Sequence, residues 1–340
     1  MKPRILVTGG TGYIGSHTVV ALHEAGYEPV LVDNFSNSNA DVIKGIKKLI
    51  GYAPILHPVD CTNRQAMQQV FEREKGLQGV IHFAAFKAVG ESVAKPLKYY
   101  HNNLDSLLVL LDFMKEYKVP NLVFSSSCTV YGQPESLPVT EDSPVVPANS
   151  PYGRTKQICE DILKDAVASD APYRVVSLRY FNPVGAHESG VIGELPLGVP
   201  NNLIPFVTQT AAGIREQLTV FGEDYDTADG TCVRDYIHVM DLAEAHIRAF
   251  EYLDKQKDKS FYDTVNVGTG QGNTVLEVVK TFEDVSGQSL NYKLGDRRPG
   301  DVEQVWADAT KAEKTLNWKS KRDLRKSLED AWRWQQMISK

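Results

Sequence analysis

A tyrosine and a lysine that stand one helical turn apart could form an acid–base pair. They occur in "SPYGRTK" (150–156), where Ser150 and Pro151 favour a helix start, so Tyr152 and Lys156 should share one helix face. An ammonium group beside a phenol favours the phenolate. Lowering a tyrosine pKa by roughly 3 units takes about 4 kcal/mol, which a lysine in water cannot supply. A dry cleft with a cationic cofactor ring is therefore expected. The alternative is an ordinary helix with Tyr152 in the core and Lys156 in water.

A run of hydroxyls could complete this pair. The segment "NLVFSSSCTVYG" (121–132) has a buried strand pattern that ends in three serines, of which Ser127 is the last. At the carboxyl edge of a parallel sheet, its hydroxyl would face Tyr152. Taken alone, Ser127 could equally be a polar loop cap. Together with Tyr152 and Lys156 it predicts a catalytic set with mutually placed roles.

The glycine-rich segment "TGGTGYIG" (8–15) predicts a dinucleotide site. It follows an apolar strand and opens a helix, and it contains Gly9, Gly12 and Gly15. Such glycines allow a tight turn, close backbone approach to a pyrophosphate and close packing of helix on strand. Tyr13 and Ile14, inside the turn, join the predicted cofactor site. The alternative is a purely structural strand–turn–helix.

Acidic residues after the next two strands refine the cofactor prediction. Asp33 ends the second predicted strand, where a carboxylate would bind ribose hydroxyls and repel a 2′-phosphate. NAD is therefore favoured over NADP. Asp60 ends the third strand and could contact adenine, or it could be a plain turn residue. Their neighbours Asn34 and Cys61 belong to the same predicted site.

Composition excludes several classes of function. The 340 residues are 42% hydrophobic and carry a formal net charge of -6 without a polybasic run, so nucleic acid and anionic membranes are poor partners. The first apolar run is too short for a signal peptide, and no segment reaches the ~18 apolar residues of a membrane span. The four cysteines and eight histidines show no metal-ligand spacing. We expect a cytoplasmic protein without metal or disulfide.

The order of apolar runs predicts an α/β, Rossmann-like, doubly wound parallel sheet. Short segments that are apolar on both faces alternate with helical segments, which begin near 13, 63, 97 and 151. Ligands of such sheets bind at the carboxyl ends of the strands. The predicted strands are 4–10, 28–34, 54–60, 79–85, 121–127 and 173–182.

The second half is less regular and predicts a smaller mixed α/β lobe. Residues 183–235 are rich in Gly, Pro and Asn, and 235–253 has helical periodicity. We expect a domain of residues 1–182 for the dinucleotide and one of 183–340 for the substrate. Part of 235–268 can return to the first domain through a strand at 263–268. Further helices are expected at 204–215, after Leu276, and at 325–337.

Longer motifs carry a family resemblance. The glycine turn and the Y-x-x-x-K pattern resemble the extended short-chain dehydrogenase/reductase superfamily. Within it, the chain resembles the UDP-glucose 4-epimerase family, also called UDP-galactose 4-epimerases, nearly end to end. The segments that carry this resemblance are "HFAAFKAVGES" (82–92), "SSSCTVYG" (125–132), "RYFNPVGAH" (179–187), "VRDYIHVMDLAEAH" (233–246) and "RRPGDVEQVWAD" (297–308).

The resemblance implies an isomerase of galactose metabolism. Tyr152 would take the proton from the sugar 4-hydroxyl while hydride moves from C4 to NAD+. Lys156 would lower the Tyr152 pKa and bind the nicotinamide ribose, and Ser127 would hydrogen-bond the reacting oxygen. The 4-keto sugar would turn over and take hydride back on its other face, interconverting UDP-glucose and UDP-galactose. Members of this family are often homodimers, and the helices near 97–118 and 150–168 are apolar enough to pair.

The resemblance also assigns binding residues. Phe83, Ala84, Lys87, Asn102 and Tyr180 are implied to contact the cofactor. A diphosphate needs guanidinium groups in a chain of net charge -6, which favours Arg234 and Arg298 over a role as solvated surface residues. Asn182, which ends the sixth predicted strand, could bind the substrate or cap a turn. The implied substrate set is Ser127, Asn182, Asn202, Phe221, Arg234, Arg298, Asp301 and Val305.

Two other classes of protein stay open. One is a different nucleotide-sugar enzyme of the superfamily, such as a dehydratase or a reductase, and the other is a non-catalytic NAD-binding regulator. Dehydratases carry an Asp–Glu pair after the threonine at the end of the fifth strand, whereas this chain reads Ser127, Cys128, Thr129. Neither Cys128 nor Thr129 can act as a carboxylic acid, so a dehydratase is disfavoured.

Val305 bears on the range of substrates. In the family, the position before Trp306 tends to be tyrosine in enzymes restricted to UDP-glucose and UDP-galactose, and a smaller residue goes with space for a 2-N-acetyl group. Val305 therefore predicts that UDP-N-acetylglucosamine and UDP-N-acetylgalactosamine are accepted too. The alternative is that Val305 only packs the pocket wall.

Overall fold

A seven-stranded parallel sheet forms the centre of the computed structural model, which describes residues 2–169, 171–298 and 301–339. The strands are β1 (Arg4–Thr8), β2 (Glu28–Val32), β3 (Ile55–His57), β4 (Leu77–His82), β5 (Asn121–Ser127), β6 (Arg174–Tyr180), β7 (Asn182–Val184), β8 (Leu218–Phe221), β9 (Val233–Arg234), β10 (Tyr236–His238), β11 (Phe261–Val267), β12 (Asn273–Thr274), β13 (Tyr292–Gly295) and β14 (Gln304–Val305). The helices are α1 (Tyr13–Glu24), α2 (Val42–Ile50), α3 (Arg64–Arg73), α4 (Val89–Ala94), α5 (Pro96–Glu116), α6 (Pro151–Ala168), α7 (Leu203–Ala211), α8 (Val239–Asp254), α9 (Val275–Ser286), α10 (Thr310–Leu316) and α11 (Leu324–Ile338).

The strand order confirms the doubly wound fold. The order is β11-β6-β5-β4-β1-β2-β3, and every neighbouring pair is parallel. Helices α1 and α8 pack on one face and α3, α5 and α6 on the other, each layer with its own buried apolar cluster. The chain reverses its direction of winding between β1 and β4, and the carboxyl ends of strands at such a point form a crevice for ligands.

Burial follows the predicted pattern except at one edge. All seven residues of β5 are buried, as expected for a strand covered by helices on both faces. The expectation that the third strand is equally buried was wrong. β3 ends the strand order, and its Ile55 is 38% exposed, because an edge strand has a neighbour on only one side.

The second half contributes a strand to this sheet and also builds apolar packing of its own. β11 lies parallel to β6, with Val265 opposite Leu178. Helices α7, α9 and α11 pack with β8 around a separate buried cluster that includes Val207, Phe282 and Leu328. This separate cluster supports our proposal of a second domain after residue 182.

Two local predictions were wrong at the same place. The helical periodicity of 235–253 begins with the strand β10, and α8 starts only at Val239. Asn182 does not end the sixth strand, because β6 stops at Tyr180 and Asn182 opens β7. β7 and β10 pair with each other, Asn182 opposite Tyr236. Pairing between segments far apart in sequence therefore overrides the local pattern.

No helix within the described residues is long and apolar enough to cross a membrane. Within the same residues, no group of three or more His, Cys, Asp or Glu side chains could hold a metal ion.

Three buried histidines make stability depend on pH. Burial lowers the pKa of His17 and His82 to about 3 and that of His246 to about 4. The unfolded chain binds these protons near pH 6.5, so the folded state holds fewer protons between about pH 6.5 and 4. We expect the free energy of unfolding to fall as the pH falls through this window, by up to about 1.4 kcal/mol per pH unit for each histidine.

Urea unfolding between pH 7.5 and 5.5 measures this slope. His17→Asn keeps a donor for the Tyr13 carbonyl, which lies 2.7 Å from Nδ1, and should reduce the slope by about half a proton on average over this range and by nearly one proton at pH 5.5. His101→Gln, at a side chain that is 79% exposed, is the control and should leave the slope unchanged. An equal slope in His17→Asn and the parent would contradict the assignment.

Candidate active site

A cavity of about 750 Å³ lies at the carboxyl edge of the sheet and collects the predicted cofactor residues. Its wall spans the sheet, from the loops after β2 and β3 to the start of α6 and the end of β6. It is lined, among others, by Gly9, Gly12, Tyr13, Ile14, Gly15, Asp33, Asn34, Asp60, Cys61, Phe83, Ala84, Lys87, Asn102, Tyr152, Lys156 and Tyr180. Residues predicted from separate motifs thus share one space.

The turn after β1 fits a dinucleotide pyrophosphate. Gly9 has φ +68°, and a Cβ there would lie 2.9 Å from the Ala84 nitrogen. A Cβ on Gly15 would lie 2.2 Å from the Gly9 carbonyl oxygen, so neither position accepts a side chain without a shift. Gly12 caps α1 without a side-chain hydrogen bond. The first-turn amides of α1 therefore remain available to an anionic ligand.

Asp33 fits the ribose of such a ligand. Directly after β2, its Oδ2 accepts a hydrogen bond from the Thr11 amide at 3.0 Å. Its Oδ1 accepts from the Phe35 amide at 2.9 Å and from the Ser38 hydroxyl at 3.1 Å. An ionised carboxylate offers about four lone-pair sites, so a held and oriented Asp33 keeps capacity for a hydroxyl group.

Asp60 has a turn-forming role that the structure shows directly. Its Oδ1 accepts from the Thr62 amide and hydroxyl at 2.8 and 2.7 Å, and its Oδ2 accepts from Asn34 Nδ2 at 2.8 Å. Partial burial raises the pKa of Asp60, but these hydrogen bonds outweigh it and hold the pKa below its usual value. Asp60 and Asn34 tie two loops of the cavity together. An adenine contact stays a prediction.

His246 of α8 supports the part of the cavity wall that Tyr180 and Phe83 form. The Tyr180 hydroxyl lies 2.6 Å from His246 Nε2, and the Phe83 ring lies 4.7 Å from the imidazole, centroid to centroid. Burial holds His246 neutral by lowering its pKa to about 4. One neutral imidazole thereby orients two residues predicted to contact the cofactor.

The tyrosine and lysine lie on α6 as predicted. The Ser150 hydroxyl accepts the Gly153 amide at 3.2 Å, which caps the helix, and Pro151 is its first residue. Lys156 is 3% exposed, and its ammonium donates to the Ser125 carbonyl of β5. Burial lowers the Lys156 pKa to about 8, so the charged form still predominates at neutral pH.

The Tyr152 pKa lies above the ordinary value rather than below it. Burial of the hydroxyl raises this pKa to about 12, and an interaction with the Ser127 hydroxyl opposes the rise only in part. Lys156 by itself therefore does not make Tyr152 a base. The lowering expected from the sequence needs the further positive charge that an oxidised nicotinamide ring carries when bound.

Ser127 ends β5 at the predicted place. Its Oγ accepts from the Thr129 amide at 3.2 Å and from the Thr129 hydroxyl at 3.0 Å. The Ser127 proton is then free to point toward Tyr152 or a substrate oxygen. Residues Cys128–Tyr131 form a short 3₁₀ turn, which places these hydroxyls beside the start of α6.

Four of the residues predicted to bind the substrate lie together, and three others lie apart from them. Asp301 accepts from Arg298 at 2.8 Å and lies 3.8 Å from Arg234 Nη2, while Val305 pairs with Arg234 between β14 and β9. These four residues form one cluster. Asn202 instead lines the cavity, Asn182 lies on β7, and Phe221 ends β8 with 45% of its surface exposed. Their binding of a substrate stays a prediction.

Glu194 was not predicted, although it joins two predicted residues. Its carboxylate accepts from Asn202 Nδ2 at 2.6 Å and lies 3.6 Å from Lys87 Nζ. Its carbonyl accepts from the Trp334 indole at 3.0 Å, and Trp334 and Ile338 of α11 also line the cavity. No local motif marks these residues, because α11 is far in sequence from the predicted cofactor residues. The two segments meet at the cavity only in the folded chain.

Comparison with known proteins gives consistent results. A family model described as GDP-mannose 4,6 dehydratase matches residues 6–331. The UDP-glucose 4-epimerase of Bacillus subtilis (strain 168) is 53% identical over 331 residues, which are 97% of this chain and 96% of that protein.

Solved structures agree. The UDP-glucose 4-epimerase from Bifidobacterium longum in complex with NAD+ and UDP matches with a TM-score of 0.94 at 45% identity, covering 98% of both chains. The UDP-Glc/GlcNAc 4-epimerase from Campylobacter jejuni matches with a TM-score of 0.83 at 36% identity, covering 98% of this chain and 99% of that one.

Cys128 and Thr129 follow Ser127 in this chain, and neither side chain is a carboxylic acid. The full-length identity to epimerases is far above what shared fold alone requires. The chain therefore belongs to the UDP-glucose 4-epimerase family, within the wider family that the dehydratase model describes.

Proposed function

We propose that this protein is an NAD-dependent epimerase that interconverts UDP-glucose and UDP-galactose. The observation that carries the proposal is the single cavity that joins the glycine turn and Asp33 to Tyr152 and Lys156. A dinucleotide bound along this wall would have its nicotinamide end beside Tyr152 and Lys156, which are suited to proton transfer at a sugar oxygen. The names of the relatives support the same activity.

The cofactor and the chain supply different parts of the chemistry. When bound, NAD supplies the hydride acceptor and donor for C4 of the sugar. Tyr152, as the phenolate, would take the proton from the 4-hydroxyl to become the phenol and later return it, while Ser127 would hydrogen-bond the same oxygen. Lys156, held by the Ser125 carbonyl, keeps a positive charge near the phenol and favours its ionised form.

The arginine cluster suits the diphosphate of the substrate. Asp301 accepts a hydrogen bond that orients Arg298, and it lies near Arg234, so both guanidinium groups are positioned before a ligand arrives. Guanidinium binds phosphate through two parallel hydrogen bonds. Firm attachment at the nucleotide leaves the sugar free to turn and present either face.

Replacing Tyr152 by phenylalanine tests this function directly. Tyr152→Phe should lower kcat for UDP-galactose by about 10²- to 10⁴-fold, because no other group takes the proton, while NAD stays bound. The control Tyr52→Phe changes a tyrosine that is 38% exposed on the surface and should keep full activity. Near-parental turnover by Tyr152→Phe in the NMR assay of UDP-glucose formation would remove Tyr152 from the mechanism.

We also propose that the enzyme accepts the N-acetylated UDP-sugars. Val305 is 5% exposed and belongs to an apolar cluster with Val130 and Phe181, against which Cys128, the neighbour of Ser127, packs. A larger residue at Val305 would have to displace this wall toward the reacting sugar. The related C. jejuni protein, named for both Glc and GlcNAc, supports this range of substrates.

Enlarging Val305 tests its control of specificity. Val305→Tyr should reduce kcat/KM for UDP-N-acetylgalactosamine at least about tenfold and leave UDP-galactose within about threefold, because a steric clash affects only the larger sugar. Val305→Ile is the conservative control and should fall in between. Equal ratios of the two rates in Val305→Tyr and the parent would show that Val305 only packs the wall.

We further propose a cytoplasmic homodimer. α5 carries Leu97 at 70% and Leu108 at 45% exposure, an apolar face that a second copy would cover. The cysteines Cys61, Cys128, Cys159 and Cys232 are free thiols, which is typical of reducing compartments.

The mass of the purified protein tests the dimer. Light scattering should give twice the chain mass of 37.8 kDa, and Leu108→Lys should shift it to one chain, because a buried unpaired charge opposes association. Ile214→Lys, at a residue that is 59% exposed and lies outside α5, should leave the mass unchanged. A single-chain mass for the parent at micromolar concentration would exclude a stable dimer.

A further inference from the structure

A buried ion pair lies directly behind the proposed catalytic residues. Arg179 of β6 donates to both carboxylate oxygens of Glu160 of α6, from Nε at 3.0 Å and from Nη2 at 2.7 Å. The two side chains are 4% and 3% exposed. Neither residue lines the large cavity, and neither has a part in the reaction described above.

The Glu160 carboxylate holds the strand that carries the catalytic hydroxyl. Ser126 donates to Glu160 Oε1 at 2.5 Å. Ser126 stands between Ser125, whose carbonyl accepts the Lys156 ammonium, and Ser127. Glu160 also follows Lys156 by one turn on α6. One carboxylate therefore fixes the spacing between the helix with Lys156 and the strand that ends in Ser127.

Arg179 holds the chain on the other side of Ser127. Its Nη1 donates to the Tyr131 hydroxyl at 3.0 Å, and its guanidinium lies 4.9 Å from the centre of that ring. The Tyr131 hydroxyl donates to Asn266 Oδ1 of β11 at 2.6 Å. Tyr131 ends the 3₁₀ turn that begins after Ser127. The segment around Ser127 is thus fixed from both ends by one ion pair.

Stability alone does not explain this arrangement. The desolvation of two buried charges offsets most of their attraction, and apolar residues of similar volume are often as stable. The titratable groups that face Lys156 are His82 of β4 and Tyr152, Cys159 and Glu160 of α6. Burial keeps His82 neutral, with a pKa of about 3, and it keeps Tyr152 and Cys159 neutral, with pKa values of about 12. Glu160 is the one that brings negative charge to the ammonium.

We propose that Glu160 and Arg179 are positioning residues of the epimerase reaction, which hold Ser127 and the Lys156 ammonium in register with the Tyr152 hydroxyl. The inference rests on the proposed function. The side chains of the ion pair make no hydrogen bond to any of the described residues that are predicted to bind the cofactor or the substrate. The pair would therefore act on the chemical step through Ser126 and Tyr131, and not on binding.

Neutralising Glu160 tests the proposal. Glu160→Gln should lower kcat by about ten- to a hundredfold, because small displacements of reacting groups are costly, with KM and bound NAD within about twofold. The basic limb of the kcat–pH profile should move to lower pH, because Lys156 loses its negative neighbour and deprotonates earlier. Asp161→Asn, at an adjacent side chain that is 67% exposed, is the control and should leave kcat and profile unchanged.

Two further variants keep the test decisive if Glu160→Gln unfolds. The double variant Glu160→Leu/Arg179→Met removes both charges together, and Ser126→Ala removes only the hydroxyl that Glu160 holds. Both should lower kcat by at least about threefold with NAD retained. Parental kcat and pH profile in any folded variant that lacks the Glu160 charge, or in Ser126→Ala, would overturn the proposal. An inactive parent would instead refute the proposed function itself.

Discussion

The burial of charge at the carboxyl edge of the sheet is the constraint on which the site depends. Lys156 is nearly inaccessible to solvent, and burial disfavours its ammonium as well as the phenolate of Tyr152. A carbonyl from β5 and the carboxylate of Glu160 offset this penalty for the lysine. For Tyr152 the Ser127 hydroxyl offsets the penalty only in part, so in the proposed mechanism its conversion to a base depends on the bound cofactor. The site would therefore become reactive when NAD is bound.

The scaffold meets this constraint with parallel strands. Their carboxyl ends lie side by side, so the glycine turn after β1 and Asp33 after β2 face one cavity, and Ser127 ends β5 at the same edge of the sheet. α6 then adds Tyr152 and Lys156 from above the same edge. The second half of the chain returns to this edge through α11, whose Trp334 holds the Glu194 segment of the wall. The loops after the strands provide most of the residues that line the cavity, and the sheet fixes the distances between these loops.

Much of this arrangement could be predicted from the sequence, because its main parts are local. Apolar runs marked the strands, and Ser150 with Pro151 marked the start of α6. The prediction missed what depends on contacts between distant segments. β10 was hidden inside a helical pattern, the bridge through Glu194 has no motif, and the Glu160–Arg179 pair joins residues on separate elements. The Tyr152 pKa also required the structure, since spacing gives proximity to Lys156 but not the degree of burial.

Epimerisation of UDP-galactose carrying deuterium at C4, with no added nicotinamide, tests the central claim most directly. If the chain holds its own NAD and returns hydride within one closed site, NMR should show UDP-glucose with deuterium still at C4. Retention of the label would show that the hydrogen on C4 moves only to the cofactor and back. The proton that Tyr152 moves then comes from the 4-hydroxyl oxygen. Loss of deuterium to water, or no conversion with NAD added, would contradict the account.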